Sequence, residues 1–175
     1  MKQNNNYIFH NILVLPLYKF NFLNSQASNL IPTKWKLILM SDGSFTQNLN
    51  SLTGKYITTN INPKFNDSLI NQKKLRIIWL EDSDHNQLTF AKSLWTINNK
   101  NFSIQEKKPI GQLFIESQID TYKEIHEIYY GYSKYLNRKF KSIQPIWGRK
   151  YTIYHSKYYL ITIYEFFSPH LINFF

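Results

Sequence analysis

The chain has 175 residues, enough for a single domain that buries about 70% of the surface its unfolded form exposes. It contains no cysteine, which excludes disulfides, thiolate nucleophiles, iron–sulfur clusters and cysteine-type zinc sites. The net charge is +10, yet the 21 basic residues include only three arginines, Arg76, Arg138 and Arg149. Asn, Ile, Lys, Tyr and Phe abound while Ala, Val and Arg are scarce, the signature of a gene biased towards A/T-rich codons. Such a bias deposits lysine, and no run of five or more basic residues exists. The charge is therefore read as a solvated surface with some pull on anionic small molecules, not as a nucleic-acid footprint.

At the N-terminus the apolar run Ile12 to Leu17 is too short and poorly flanked for a secretory signal. The Arg and Ser enrichment of a transit peptide is also missing, so the chain is expected to stay in the compartment where it is made. Residues 1–30 read as a less ordered extension of one domain spanning 1–175. Ser44-Phe45-Thr46-Gln47 reads as a capping box, with the Ser44 hydroxyl on the third helical amide and Gln47 reaching back. Phe45, Leu49 and Leu52 then share a helical face, and Gly54 supplies the left-handed stop.

Lys74 to Leu80 is a strand centred on Ile77, Ile78 and Trp79. Phe90 to Ile97 and Leu113 to Ile115 are further short strands. In the tyrosine-rich stretch Tyr122 to Leu136, the spacing of Ile125, Ile128 and Tyr129 predicts a helix ending near Gly131. Arg149 to His155 and Tyr158 to Phe167 are β-branched or aromatic, with Ser156-Lys157 as a tight turn between them. Strands with few helices, joined without βαβ spacing, predict an α+β fold around an antiparallel sheet flanked by helices. No span of 18 apolar residues exists, so no membrane insertion is expected.

Glu165 stands out. In a strand it shares a face with Tyr159, Ile161, Ile163 and Phe167. A carboxylate on an apolar face is costly unless it is paired or protonated. Either an edge strand lets it reach water, or it is a buried acid held for proton transfer. Arg76 and Arg149 are the second clue. In a lysine-biased gene, arginine marks positions that need a planar fork able to grip a carboxylate with two parallel hydrogen bonds; chance survival is the plain alternative. The five histidines make no HExxH or other metal-ligand spacing, and neither GxGxxG nor GxxxxGK is present. Asp42-Gly43-Ser44 is a turn before a helix whose free amides could hold an anion.

Several segments, taken in order, resemble the chorismate lyase-like family. They are Leu39-Met40-Ser41-Asp42-Gly43-Ser44-Phe45-Thr46; Leu75-Arg76; Phe90-Ala91-Lys92-Ser93; Pro109-Ile110-Gly111-Gln112-Leu113-Phe114; and Arg149-Lys150-Tyr151 followed by Glu165-Phe166-Phe167-Ser168-Pro169. The resemblance implies a ligand enclosed beneath helical flaps and conversion of chorismate to 4-hydroxybenzoate and pyruvate without cofactor or metal. Arg76 would grip a carboxylate and Glu165 would face the ring hydroxyl. Gly111, Gln112 and Leu113 would offer backbone groups, Phe45 would stand near the pocket, and Arg149 would join the substrate-binding set. Part of the family is plastid-encoded, which suits the codon bias and implies the chloroplast stroma. The fold also serves as a ligand-sensing domain, so binding of an aromatic or dicarboxylate metabolite without turnover is the alternative. A basic RNA-associated plastid protein is a third reading. The partner expected is a small anionic substrate.

Overall fold

The computed structural model describes residues 8–17, 26–61, 69–70, 73–96, 110–111, 114, 118, 120–155 and 158–175. Eight strands form one sheet: β1 His10–Pro16, β2 Thr58–Ile61, β3 Leu69–Ile70, β4 Lys73–Glu81, β5 Gln87–Thr96, β6 Thr121–Tyr132, β7 Ile146–His155 and β8 Tyr158–Phe167. Their order is β1-β6-β7-β8-β5-β4-β2, with the two residues of β3 also against β4. Every pairing is antiparallel; β4–β5 and β7–β8 are joined by short hairpin connections, whereas β1–β6 and β5–β8 join distant parts of the chain. The α-helices with described bounds are α1 Thr33–Leu39, α2 Phe45–Thr53 and α3 Lys134–Lys139. Gln26–Leu30 and Pro169–Phe174 are 3₁₀ helices. The expected α+β class holds.

The sheet has two apolar faces. On the inner face Ile78, Leu80, Ile128, Trp147 and Phe167 pack with Trp35, Ile38 and Leu39 of α1 and with Phe45 and Leu49 of α2. Further along it, Trp95, Tyr151, Ile153, Ile161 and Ile163 cluster with Phe114. On the outer face Leu75, Ile77, Trp79 and Phe90 pack with Leu136 and Phe140 of the α3 segment. Burial on both faces explains why β4 reads as a continuous apolar run rather than an alternation.

The β7–β8 hairpin forms as its residues predict, with His155 opposite Tyr158; the expected turn at Ser156-Lys157 lies outside the described residues. Helix α2 also forms. Gly54 closes it at φ 65° in the left-handed region, its amide donating to the Asn50 carbonyl. The capping box does not form: Ser44 is the N-cap but makes no side-chain cap hydrogen bond. Its hydroxyl faces Gly111, where an added Cβ would stand 3.1 Å from Ser44 Oγ.

Three further expectations are corrected. Residues 10–16, assigned to a loose extension, form β1 and pair with β6. Phe114 is helical, as are Ile110 and Gly111, so no strand runs through it. The largest change is residues 121–132, which are strand and not helix. The register shifts between Ile125 and Glu127, so His126 is an extra residue. Its Nε2 lies 2.8 Å from Thr152 Oγ1. Such a bulge makes two residues three apart share one face. Ile125 and Ile128 oppose Tyr151 and Arg149, both on the inner face. Their spacing is therefore that of a bulged strand, which mimics the helical repeat.

A buried carboxylate clamp beneath α2

The antiparallel register places Arg149 of β7 directly opposite Glu165 of β8. Arg149 is fully buried and Glu165 is 6% exposed. Arg149 Nε donates to Glu165 Oε2 at 2.8 Å, and the Tyr151 hydroxyl donates to Glu165 Oε1 at 2.8 Å. Each carboxylate oxygen thus has a donor, which is what a buried carboxylate requires. Burial, and then the neighbouring Glu165 carboxylate, push the Tyr151 phenol well above its ordinary pKa, so it remains a donor.

The other end of the guanidinium binds a helix. Arg149 Nη1 donates to the carbonyls of Ile38 at 3.1 Å, Leu39 at 3.0 Å and Ser41 at 3.0 Å. Ile38 and Leu39 are the last two residues of α1, and Ser41 follows its C-cap, Met40. A cation there also meets the negative end of the helix dipole. The rings of Phe45, Tyr151 and Phe167 surround the guanidinium at 5.4, 5.1 and 5.5 Å. Arg149 therefore ties α1, the sheet and Glu165 into one unit. Nη2 has no hydrogen-bond partner among the described residues.

Glu165 and Tyr151 line a cavity of about 550 Å³ between the inner face and the N-terminus of α2, within the size range of small-molecule sites. Ile78, Ala91 and Ile163 form its apolar floor, Phe45 and Thr46 come from α2, and Gly111 and Phe114 also line it, with Gly111 against Ser44. Lys123 of β6 also lines the cavity. Its Nζ donates to the carbonyls of Ser41 at 3.1 Å and Gly43 at 3.4 Å and lies 4.8 Å above the Tyr151 ring. Burial and the nearby Arg149 lower its pKa to about 8, against the opposing pull of Glu165 and Asp42.

Of the residues singled out in the sequence, Phe45, Gly111 and Glu165 line this cavity together. Gln112 and Leu113 lie outside the described residues. Arg149 touches the cavity's acid rather than appearing among its lining residues. Arg76 is 2% exposed. It opposes Ser93, which opposes Ile163, two residues before Glu165. Arg76 and Glu165 hence share the inner face, but β5 separates their strands, and Arg76 is not among the described lining residues.

Tyr151 and Lys123 went unnoticed in the sequence. Tyr151 had a usable signal: two residues after Arg149 in a strand, it must share its face. Lys123 had none, being one lysine of many in a segment read as helix. Among the described residues, no cluster of His, Asp and Glu is arranged to hold a metal, and no helix is long and apolar enough to cross a membrane.

The chain is 44% identical over 161 residues to "Uncharacterized protein ycf21" of Antithamnion sp., covering 87% of this chain and 90% of the relative. It is 39% identical over 153 residues to the ycf21 protein of Porphyra purpurea, covering 82% and 86%. It is 29% identical over 161 residues to that of Cyanophora paradoxa, covering 85% and 83%. These relatives are plastid-genome proteins of algae, consistent with a plastid origin for this chain. The family model described as "Chorismate pyruvate-lyase Rv2949c-like" matches residues 39–175, a span that holds α2, the clamp and the cavity; the chain belongs to the Rv2949c-like chorismate pyruvate-lyase family.

Proposed function

We infer that the protein eliminates pyruvate from chorismate to give 4-hydroxybenzoate, without a cofactor. The observation that carries this reading is the Glu165 carboxylate, fixed by Arg149 and Tyr151 at the wall of a ligand-sized cavity in a chain of this family. Loss of the enolpyruvyl ether together with a ring proton leaves an aromatic product, so the driving force is built into the substrate. The protein needs to orient the substrate, exclude water and assist proton movement. Glu165 is the group proposed to face the ring hydroxyl and the departing ring proton. Tyr151 and Arg149 are positioning residues that hold its two oxygens. Arg76, on the same face of the sheet, is proposed to meet the ring carboxylate, and the backbone at Gly111 and the ring of Phe45 to enclose the substrate. The plastid stroma is the proposed location.

One observation favours a second reading. Both Glu165 oxygens already have protein donors, as in a purely structural ion pair, and a non-catalytic binder of an aromatic or dicarboxylate metabolite would need no more. Incubation of the purified protein with chorismate separates the two. Equimolar 4-hydroxybenzoate and pyruvate are expected. Binding of 4-hydroxybenzoate with no turnover of chorismate would leave the binding module as the function.

A further inference from the structure

We propose that Lys123 holds a second carboxylate of the ligand, beside the ring hydroxyl, so that the cavity selects dianions over monoanions. The inference rests on the reading of the cavity as a site for chorismate or a close relative, which carries one carboxylate on its ring and another on the enolpyruvyl arm.

Among the described residues that line the cavity, Lys123 is the one with a positive charge. Arg149 is engaged by Glu165 and the end of α1. Arg76 stands on β4, on the other side of β5 from Glu165. Tyr151 links Lys123 to the acid: its ring lies beneath Nζ at 4.8 Å and its hydroxyl is on Glu165. The cation is therefore set beside the carboxylate that would face the ring hydroxyl, the neighbourhood in which the enolpyruvyl arm departs.

Lys123 also has a donor to spare. An ammonium has three donors, and two are directed at the Ser41 and Gly43 carbonyls. No carboxylate is within ion-pair distance of Nζ among the described residues: Glu165 is paired with Arg149, and Asp42 acts on Lys123 only through its field. Burial without a carboxylate partner and the charge of Arg149 give Lys123 a pKa of about 8, with Glu165 and Asp42 opposing. An arriving carboxylate would supply the missing counter-charge and favour the protonated form.

The probes are 4-hydroxyisophthalate, whose carboxylates and hydroxyl occupy the ring positions that chorismate substitutes, and 4-hydroxybenzoate, which lacks the second carboxylate. Titration calorimetry of wild type, Lys123→Met and Lys123→Arg supplies the readout. Lys123→Met should weaken the dianion at least about tenfold, the scale of a lost charge-assisted hydrogen bond, and the monoanion less than about threefold. Lys123→Arg should keep most of the discrimination. Equal losses for both ligands, or none for either, overturn the proposal and leave Lys123 as a latch on the 41–43 loop. Wild type that binds neither ligand overturns the site reading and this inference with it. Should Lys123→Met fail to fold, proton uptake by wild type at pH 8 decides, measured in buffers of different ionisation enthalpy. Uptake with the dianion and not the monoanion supports the proposal; its absence overturns it.

Discussion

Arg149 and Glu165 face each other across β7 and β8, and the guanidinium that pairs with the acid also takes three carbonyls at the end of α1. The acid of the cavity and the helix that roofs the sheet are thus held by one side chain. Breaking a buried pair by removing one partner typically costs about 3–5 kcal/mol, because the other charge is left uncompensated. Glu165→Gln is isosteric but should not be silent: denaturant unfolding is expected to show a loss in that range. In a double-mutant cycle with Arg149→Met, the two losses should be strongly non-additive. Additive losses would mean the pair does not act as one unit.

Arg149→Lys keeps the charge but lacks the fork. A single ammonium is poorly placed to serve both Glu165 and the α1 carbonyls. Hydrogen exchange in residues 33–41 should accelerate relative to wild type, with β4 and β5 little changed. Unchanged protection in that segment would show that α1 does not depend on this side chain.

Gly148 precedes the clamp. A Cβ there would lie 2.6 Å from Phe166 Cδ1 and 2.8 Å from the Glu165 carbonyl oxygen. The backbone contact gives no room, so Gly148→Ala must push β7 from β8 at the clamp. A loss of about 1–3 kcal/mol is expected, the usual cost of overpacking. Gly43→Ala, whose Cβ would approach no closer than 4.0 Å to Asn48 Oδ1, should be near neutral. Thermal unfolding of the two variants side by side tests the contrast.

Stability at alkaline pH should first rise and then fall. Lys123 titrates near 8 in the folded chain and at its ordinary 10.5 when unfolded. Between these values the unfolded state binds more protons, so stability should rise with pH, by on the order of 1 kcal/mol from pH 8 to 10. Above pH 10 the tyrosines reverse the trend. Tyr129, Tyr130 and Tyr151 are raised by burial, so the unfolded chain loses those protons first and stability falls. Lys123→Met should abolish the rise and keep the fall.

What the sequence revealed was mostly local. Gly54, the two long strands of the C-terminal hairpin and the apolar run of β4 each carry a short-range signal, and the structure follows them. Glu165 was conspicuous because its strand is otherwise apolar on that face. Its partners were harder to see. That Arg149 lies opposite Glu165 depends on the hairpin register, and the link to Ile38, Leu39 and Ser41 joins segments more than a hundred residues apart. In β6 the bulge at His126 replaced the alternation of a strand with spacing that belongs to a helix. That misreading also hid Lys123, because a lysine on a helix surface has no reason to enter a cavity.

The central claim is that Glu165 assists proton movement in a lyase, and the turnover of chorismate by Glu165→Gln tests it most directly. The assay follows 4-hydroxybenzoate at a temperature where unfolding curves show the variant fully native. General acid–base assistance is typically worth about 10²- to 10⁴-fold in rate, so kcat should fall by that factor while KM changes far less. Turnover by Glu165→Gln within a few-fold of an active wild type would contradict the account.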